Sequence, residues 1–233
     1  MCIRDSTDTD GDDVADEREL FLTGFGGFDH DHGLHSVVPG PDGRLYISVG
    51  NAGPHIVTDR DGWTLRSGSI YRGGGPEVAD NKPGLVSDDG KIWTGGLVLR
   101  VNPDGTGLEV LSHNFRNNYE VAVDAYGDWY QSDNDDDGNG GCRTLWCLEK
   151  GNHGFFSADG SRTWQADRRP GQTNPVAHWH EEDPGVAPKG TINGPGGPTG
   201  VTVYEGALLA RWFQGAVLNA DAGARVVYAL SLI

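Results

Sequence analysis

Positive charge is scarce in this chain. Its 18 lysines and arginines face 34 aspartates and glutamates, giving a formal net charge of −16. With no basic cluster to offset that field, the balance argues against a nucleic-acid or anionic-lipid surface and favours cations as partners. Cysteine is also rare, at three residues: Cys2, Cys142 and Cys147. That is too few for a disulfide framework. The C-x4-C spacing of the last two lacks both the second pair of a zinc site and the histidine of a haem-attachment motif. They read as small buried side chains, with a local disulfide as the alternative. No apolar run reaches the length of a membrane-spanning helix, and no basic start followed by an apolar stretch marks a signal peptide. Long helical periodicity is missing as well.

Glycine and proline are plentiful instead, at 37 and 12 residues, the texture of turns between short strands. Val37-Val38 and Tyr46-Ile47 flank Pro-Asp-Gly, where proline presets one dihedral and glycine accepts the unusual one, so a β-hairpin is predicted. A second hairpin is predicted from Leu97–Val101, the turn Asn102-Pro103-Asp104-Gly105 and Leu108–Leu111, and a third from Gly200–Tyr204 and Gly215–Asn219. These are copies of one unit. In the first, His32 leads into the turn ending at Gly43; in the second, Arg116 leads into the turn ending at Gly127, with both residues at the same distance upstream. An ionisable side chain repeated at one address is not a packing device, so the two copies point to a shared site. Units of roughly 45 residues with short strands are the mark of a β-propeller. Fold class is therefore all-β, a propeller of the six-bladed type present as a partial domain over 7–233, with a loop insertion near 54–95. Met1–Ser6 resembles a translated sequencing-adapter remnant and is expected to stand outside the fold. The remainder is expected to supply roughly five blades or fewer, which would leave an incomplete ring with an unpaired sheet edge.

Two acidic loops suggest metal chemistry. Asp8, Asp10, Asp12, Asp16 and Glu19 take positions 1, 3, 5, 9 and 12 of a calcium loop of the EF-hand type, where short carboxylates wrap the ion and a longer one closes it. Position six is Asp13 rather than glycine, a place that wants a positive φ. A solvated acidic loop is the alternative. The second loop, Asp133-Asn134-Asp135-Asp136-Asp137-Gly138, begins with the same Asp-x-Asp-x-Asp-Gly pattern but has Thr144 where the closing glutamate belongs. Asp133, Asp135 and Asp137 are its candidate ligands, against simple solvation of a charged turn. His178 and His180 form an alternate pair that reads as two residues on one strand face, with no third ligand identifiable.

The passage from Asp31-His32 through Gly-Pro-Asp-Gly-Arg-Leu-Tyr, then His113-Asn114-Phe115-Arg116-Asn117 and Glu149–Phe155, resembles the glucose/sorbosone dehydrogenase-like propellers that bind pyrroloquinoline quinone. It is most similar to the membrane-bound dehydrogenase branch found in multidomain proteins with a haem-binding Cys-x-x-Cys-His module. His178-Trp179-His180, Asp183–Val186, Pro198–Gly200 and Asn219–Gly223 fit that branch too. The resemblance implies calcium and pyrroloquinoline quinone as cofactors and a sugar or polyol as substrate. It also implies a haem domain or cytochrome as electron acceptor and an extracytoplasmic location. His32 would be the general base. Arg116 would pair with the cofactor's anionic oxygens, with Asn117 and Asn134 beside it, and the Asp133–Asp137 loop would place calcium against the quinone. Departures fall at Asn118, where a proline is common, and at His153, where an aromatic is usual.

From the residues alone, His32 is open between a catalytic or ligand role and a buried histidine satisfying a carbonyl, and Arg116 between a functional cation and a cross-blade ion pair. Two other functions compete with the dehydrogenase: a non-catalytic, calcium-stabilised propeller that binds carbohydrate or protein, and a propeller lactonase with a metal-activated water.

Overall fold

The computed structural model describes residues 1–27, 31–72, 79–135 and 138–231. β1 (Cys2–Thr7) and β2 (Glu17–Thr23) form an antiparallel hairpin around the first acidic loop. Residues 1–6, expected from sequence to stand outside the fold, thus carry a strand in register with β2. β3 (Leu34–Pro39) and β4 (Leu45–Val49) pair across the Pro-Asp-Gly turn. Gly43 there takes φ +76, which an L side chain rarely adopts. β5 (His55–Thr58), β6 (Thr64–Gly68) and β7 (Trp93–Thr94) make a three-stranded sheet, so the described part of 54–95 contains a small sheet of its own. β8 (Leu97–Val101) and β9 (Glu109–His113) extend the β3–β4 sheet.

β10 (Asn117–Val123), β11 (Trp129–Asn134) and β12 (Cys142–Trp146) begin the next sheet. The chain then returns: β13 (Gly151–Asn152) pairs in parallel with β9 and completes a sheet ordered β13-β9-β8-β4-β3. Two short helices follow, α1 (Trp164–Asp167) and α2 (Asn174–His178). β14 (Thr191–Gly194) then closes the order β10-β11-β12-β14. β15 (Pro198–Tyr204), β16 (Ala216–Asp221) and β17 (Val226–Leu230) form the last sheet. The fold is all-β and propeller-like, a series of small twisted sheets packed face to face. Among the described residues no helix is long and apolar enough to cross a membrane.

Strand alternation sets the core. Inward residues of β2, β4, β5, β6 and β8 meet in one cluster that includes Phe21, Ile47, Val57, Leu65 and Leu99. Tyr46, Val98, Leu111, Phe115, Val121 and Trp129 join the five-stranded sheet to its four-stranded neighbour. Ala122, Tyr130, Val201 and Val217 join that sheet to the last. Each fully buried Leu, Ile or Phe contributes about 1.5–3 kcal/mol.

One polar seam crosses the second of these interfaces. Asn118 Nδ2 donates to Ser48 Oγ at 3.0 Å and to the Leu97 carbonyl at 2.9 Å, while Gln131 Nε2 reaches the same Ser48 oxygen at 3.2 Å. A proline at 118 could make none of these bonds. Asn118 therefore has its own structural use at a position where the resembling family commonly has proline.

Candidate functional site

His32 leads into β3 and is only 4% exposed. Its backbone is clamped by the return of β4: Gly50 N–H donates to the Gly33 carbonyl at 2.7 Å and Ala52 N–H to the His32 carbonyl at 3.0 Å. A Cβ at Gly50 would lie 2.5 Å from that His32 oxygen and 2.8 Å from Asn117 Oδ1, so only glycine permits the approach. The imidazole stacks on Tyr71 at 5.1 Å with a 13° interplanar angle. His32 Nδ1 is 2.7 Å from Asn51 Oδ1, and Nε2 is 4.0 Å from the exposed Asp31 carboxylate. An amide oxygen only accepts, so Nδ1 carries the proton and the basic lone pair falls on Nε2.

Asn51 faces the second repeat as well. Its backbone N–H donates to the Arg116 carbonyl at 3.0 Å. Its Nδ2 is buried without a hydrogen-bond acceptor among the described residues. The two repeat-equivalent residues are thereby joined through one asparagine, although 84 positions in the chain separate them. Arg116 is half-buried. Asn117 is buried and accepts from His35 Nε2 at 2.7 Å, and His35 stacks on the half-exposed Tyr119 at 4.5 Å. Burial pulls the His35 pKa below its ordinary value, opposed by the Asn117 bond. Asn134 stands opposite Asn117 in the β10–β11 ladder and is half-buried. The predicted residues His32, Arg116, Asn117 and Asn134 thus gather around adjoining strand ends.

Asp133 has a different neighbourhood from the one a metal ligand needs. Its carboxylate accepts the backbone N–H groups of Arg116, at 3.2 Å, and of Asn117, at 2.9 Å. Arg143 adds Nη2 at 2.8 Å and Nε at 3.3 Å, and both side chains of this ion pair are fully buried. Arg143 lies 3.5 Å over the Trp179 ring and donates to the His153 carbonyl at 2.9 Å. Burial lowers the Arg143 pKa, with Asp133 pulling the other way. Asp135 is also turned inward, accepting from the Gly141 N–H and lying 3.3 Å from Cys142 Sγ. Asp137 lies outside the described residues. Among the described residues of the second loop, Asp133 and Asp135 thus face protein donors rather than standing open as calcium ligands.

The first loop brings together part of its set. Carboxylate oxygens of Asp8, Asp10 and Asp16 lie within 4.8 Å of one another, all exposed. Asp13 takes φ +68, the left-handed turn required at position six. Backbone N–H groups of Gly11 and Asp13 hold the Asp8 carboxyl below its ordinary pKa. Asp12 accepts the Val14 N–H. Glu19, expected to close the ion, belongs to β2 and pairs with Arg60 at 2.8 Å.

His178 and His180 do not share a strand face. His178 ends α2, with Nδ1 2.8 Å from Asn139 Nδ2, and His180 donates Nδ1–H to the Gly154 carbonyl at 2.7 Å with Nε2 3.4 Å from Asp167. Burial drives the Cys142 thiol up to about 12, and both it and Cys147 are free. His153 lies flat on Phe115 at 4.5 Å and 13°, fully buried, with desolvation and then Arg143 holding its pKa far down. A neutral imidazole there does the stacking an aromatic would do. Sequence reasoning missed Asn51 and Arg143, which carry no motif.

A family model described as Domain of unknown function (DUF7133) matches residues 3–233. No curated protein sequence matches the chain. Among solved structures, a glucose dehydrogenase is 18% identical, with 87% of this chain and 70% of that one covered and a TM-score of 0.42. A second glucose dehydrogenase is 17% identical, covering 96% and 75%, also with a TM-score of 0.42. The PQQ-bound aldose sugar dehydrogenase of Streptomyces coelicolor is 18% identical, covering 93% and 68%, with a TM-score of 0.41.

Proposed function

The chain belongs to the DUF7133 family, and from the junction of His32, Asn51 and Arg116 we propose that it oxidises a sugar or polyol with pyrroloquinoline quinone as the electron acceptor. The observation that carries the reading is the Asn51 Oδ1 contact to His32 Nδ1 at 2.7 Å. It fixes the tautomer a general base requires, with the basic lone pair on Nε2.

The donor set fits an oxygen-rich anionic group. Asn51 offers a buried amide N–H with no acceptor among the described residues, and Arg116, whose carbonyl accepts the Asn51 backbone N–H, brings a guanidinium cation suited to an anionic oxygen. Arg116 and Asn51 would hold the quinone, with Asn117 and Asn134 at the adjoining strand ends. When bound, it supplies the two-electron oxidant that no side chain of the chain can provide. His32 removes the substrate's hydroxyl proton at Nε2, Asn51 keeps the ring oriented, and Tyr71 fixes its plane by stacking. In this reading calcium belongs to the Asp8, Asp10 and Asp16 loop, as a clip for the β1–β2 hairpin. A haem protein as the next electron acceptor and an extracytoplasmic location complete the proposal, both resting on the sequence resemblance.

The test is calorimetric titration with pyrroloquinoline quinone, followed by dye-linked oxidation of a panel of aldoses and polyols. Saturable binding that Arg116→Ala abolishes, with turnover that His32→Ala abolishes while binding persists, is the expected result. A folded protein that binds no quinone would overturn the proposal and leave a recognition module.

A further inference from the structure

We propose that Arg143 is the resident cation at the acidic end of β11: its guanidinium, and not a divalent ion, neutralises Asp133 and fixes the backbone of Arg116 and Asn117. The turn opens with a calcium-loop pattern, yet the first would-be ligand is already saturated. A carboxylate has about four lone-pair positions. Asp133 Oδ1 accepts from Asn117 N–H at 2.9 Å and Arg116 N–H at 3.2 Å, and Oδ2 accepts from Arg143 Nη2 at 2.8 Å and Nε at 3.3 Å. Calcium needs bare carboxylate oxygens at about 2.3–2.6 Å, and these oxygens already face four N–H donors.

Arg143 is itself pinned. Its guanidinium lies on the Trp179 face at 3.5 Å and its Nη2 also donates to the His153 carbonyl. Trp179 Nε1 in turn donates to the Gly141 carbonyl at 2.9 Å, and Gly141 N–H donates to Asp135. The second would-be ligand is thus bound into the same buried assembly. Because a guanidinium keeps its charge across the working pH range, this cation cannot be chelated or titrated away. Arg143 touches no reacting atom in this arrangement. It is a positioning residue, acting on Arg116 and Asn117 through Asp133, and the inference holds whether or not the site oxidises a sugar.

The full chain carrying Asp8→Asn, Asp10→Asn and Asp16→Asn leaves the Asp133 turn untouched and removes the exposed carboxylate cluster. It is titrated with calcium to roughly 10 mM, above the range of the weakest calcium modules, while the amide resonances of Arg116 and Asn117 are followed by NMR. Expected are no saturable heat and no movement of either amide. Saturable calcium binding with displacement of those two resonances would overturn the assignment. Arg143→Lys, which keeps the charge but loses the planar fork, is expected to shift both amides, and unchanged amides in that variant would equally refute it. Should Arg143→Lys not fold, the calcium titration decides alone.

Discussion

His32 and Arg116 are held by two parts of one residue: the side-chain oxygen of Asn51 accepts the hydrogen bond of His32 Nδ1–H at 2.7 Å while its backbone N–H donates to the Arg116 carbonyl at 3.0 Å. Asn51→Ala removes the first contact and keeps the second. It is expected to weaken quinone binding, because the Asn51 amide donor is lost, to lower dye-linked kcat at least tenfold, and to cost about 1 kcal/mol of stability. Steady-state kinetics beside urea unfolding separate the two effects, and an unchanged kcat would remove Asn51 from the positioning role.

Arg143→Met should be strongly destabilising, by about 3–5 kcal/mol, because it leaves the fully buried Asp133 without its counter-ion. Asp133→Asn combined with Arg143→Met should recover a large part of that loss, since the stranded charge is then gone. Urea denaturation of the two single variants and the double gives the coupling directly. Strict additivity would mean the pair does not act as a unit.

Gly50→Ala is expected to cost about 1–3 kcal/mol, since the added methyl meets the His32 carbonyl and Asn117 Oδ1 at once. Gly96→Ala should cost more, because φ is +77 and the Cβ would lie 2.0 Å from the Phe115 carbonyl oxygen. Melting temperatures rank the two, with Gly84→Ala as the control at φ +73 in open space.

Acid should destabilise the protein well before its carboxylates titrate. His55 and His113 are pushed down to about 4 by burial. Their Nδ1 atoms accept the N–H groups of Gly26 and Thr94, which a proton would displace. Both stay neutral in the fold while the unfolded chain protonates near pH 6.5. The unfolded state therefore binds more protons, and stability is complete above about 6.5 and lost as pH falls toward 4. Unfolding measured from pH 8 to 4.5 should show this decline; a flat profile would contradict the burial of either imidazole.

The hairpins β3–β4, β8–β9, β10–β11 and β15–β16 were legible because a turn sequence punctuates alternating apolar residues, and both signals are local. The β5–β7 sheet was not, since its strands are short and set in glycine, proline and aspartate, which read as a loop. His32 and Arg116 could be found because the repeat marks them. Arg143 could not: in Cys142-Arg143-Thr144-Leu145 an arginine between alternating neighbours reads as solvent-facing, and its burial depends on Asp133 and Trp179 arriving from other elements. The turn at Asp133 shows the same limit from the other side, because ligand spacing reports which carboxylates are near one another and not which are already neutralised.

β13 is a strand of only two residues, yet it lies in the sheet of β9 while β12 and β14, before and after it in sequence, lie in the next. No single cut in the chain can therefore release these two sheets as separate intact pieces. The five-stranded sheet also cannot be completed during synthesis until residues 151 and 152 have emerged, by which time most of its neighbour exists. The two should unfold together, with hydrogen-exchange protection in β8 and β11 lost in one cooperative step rather than blade by blade.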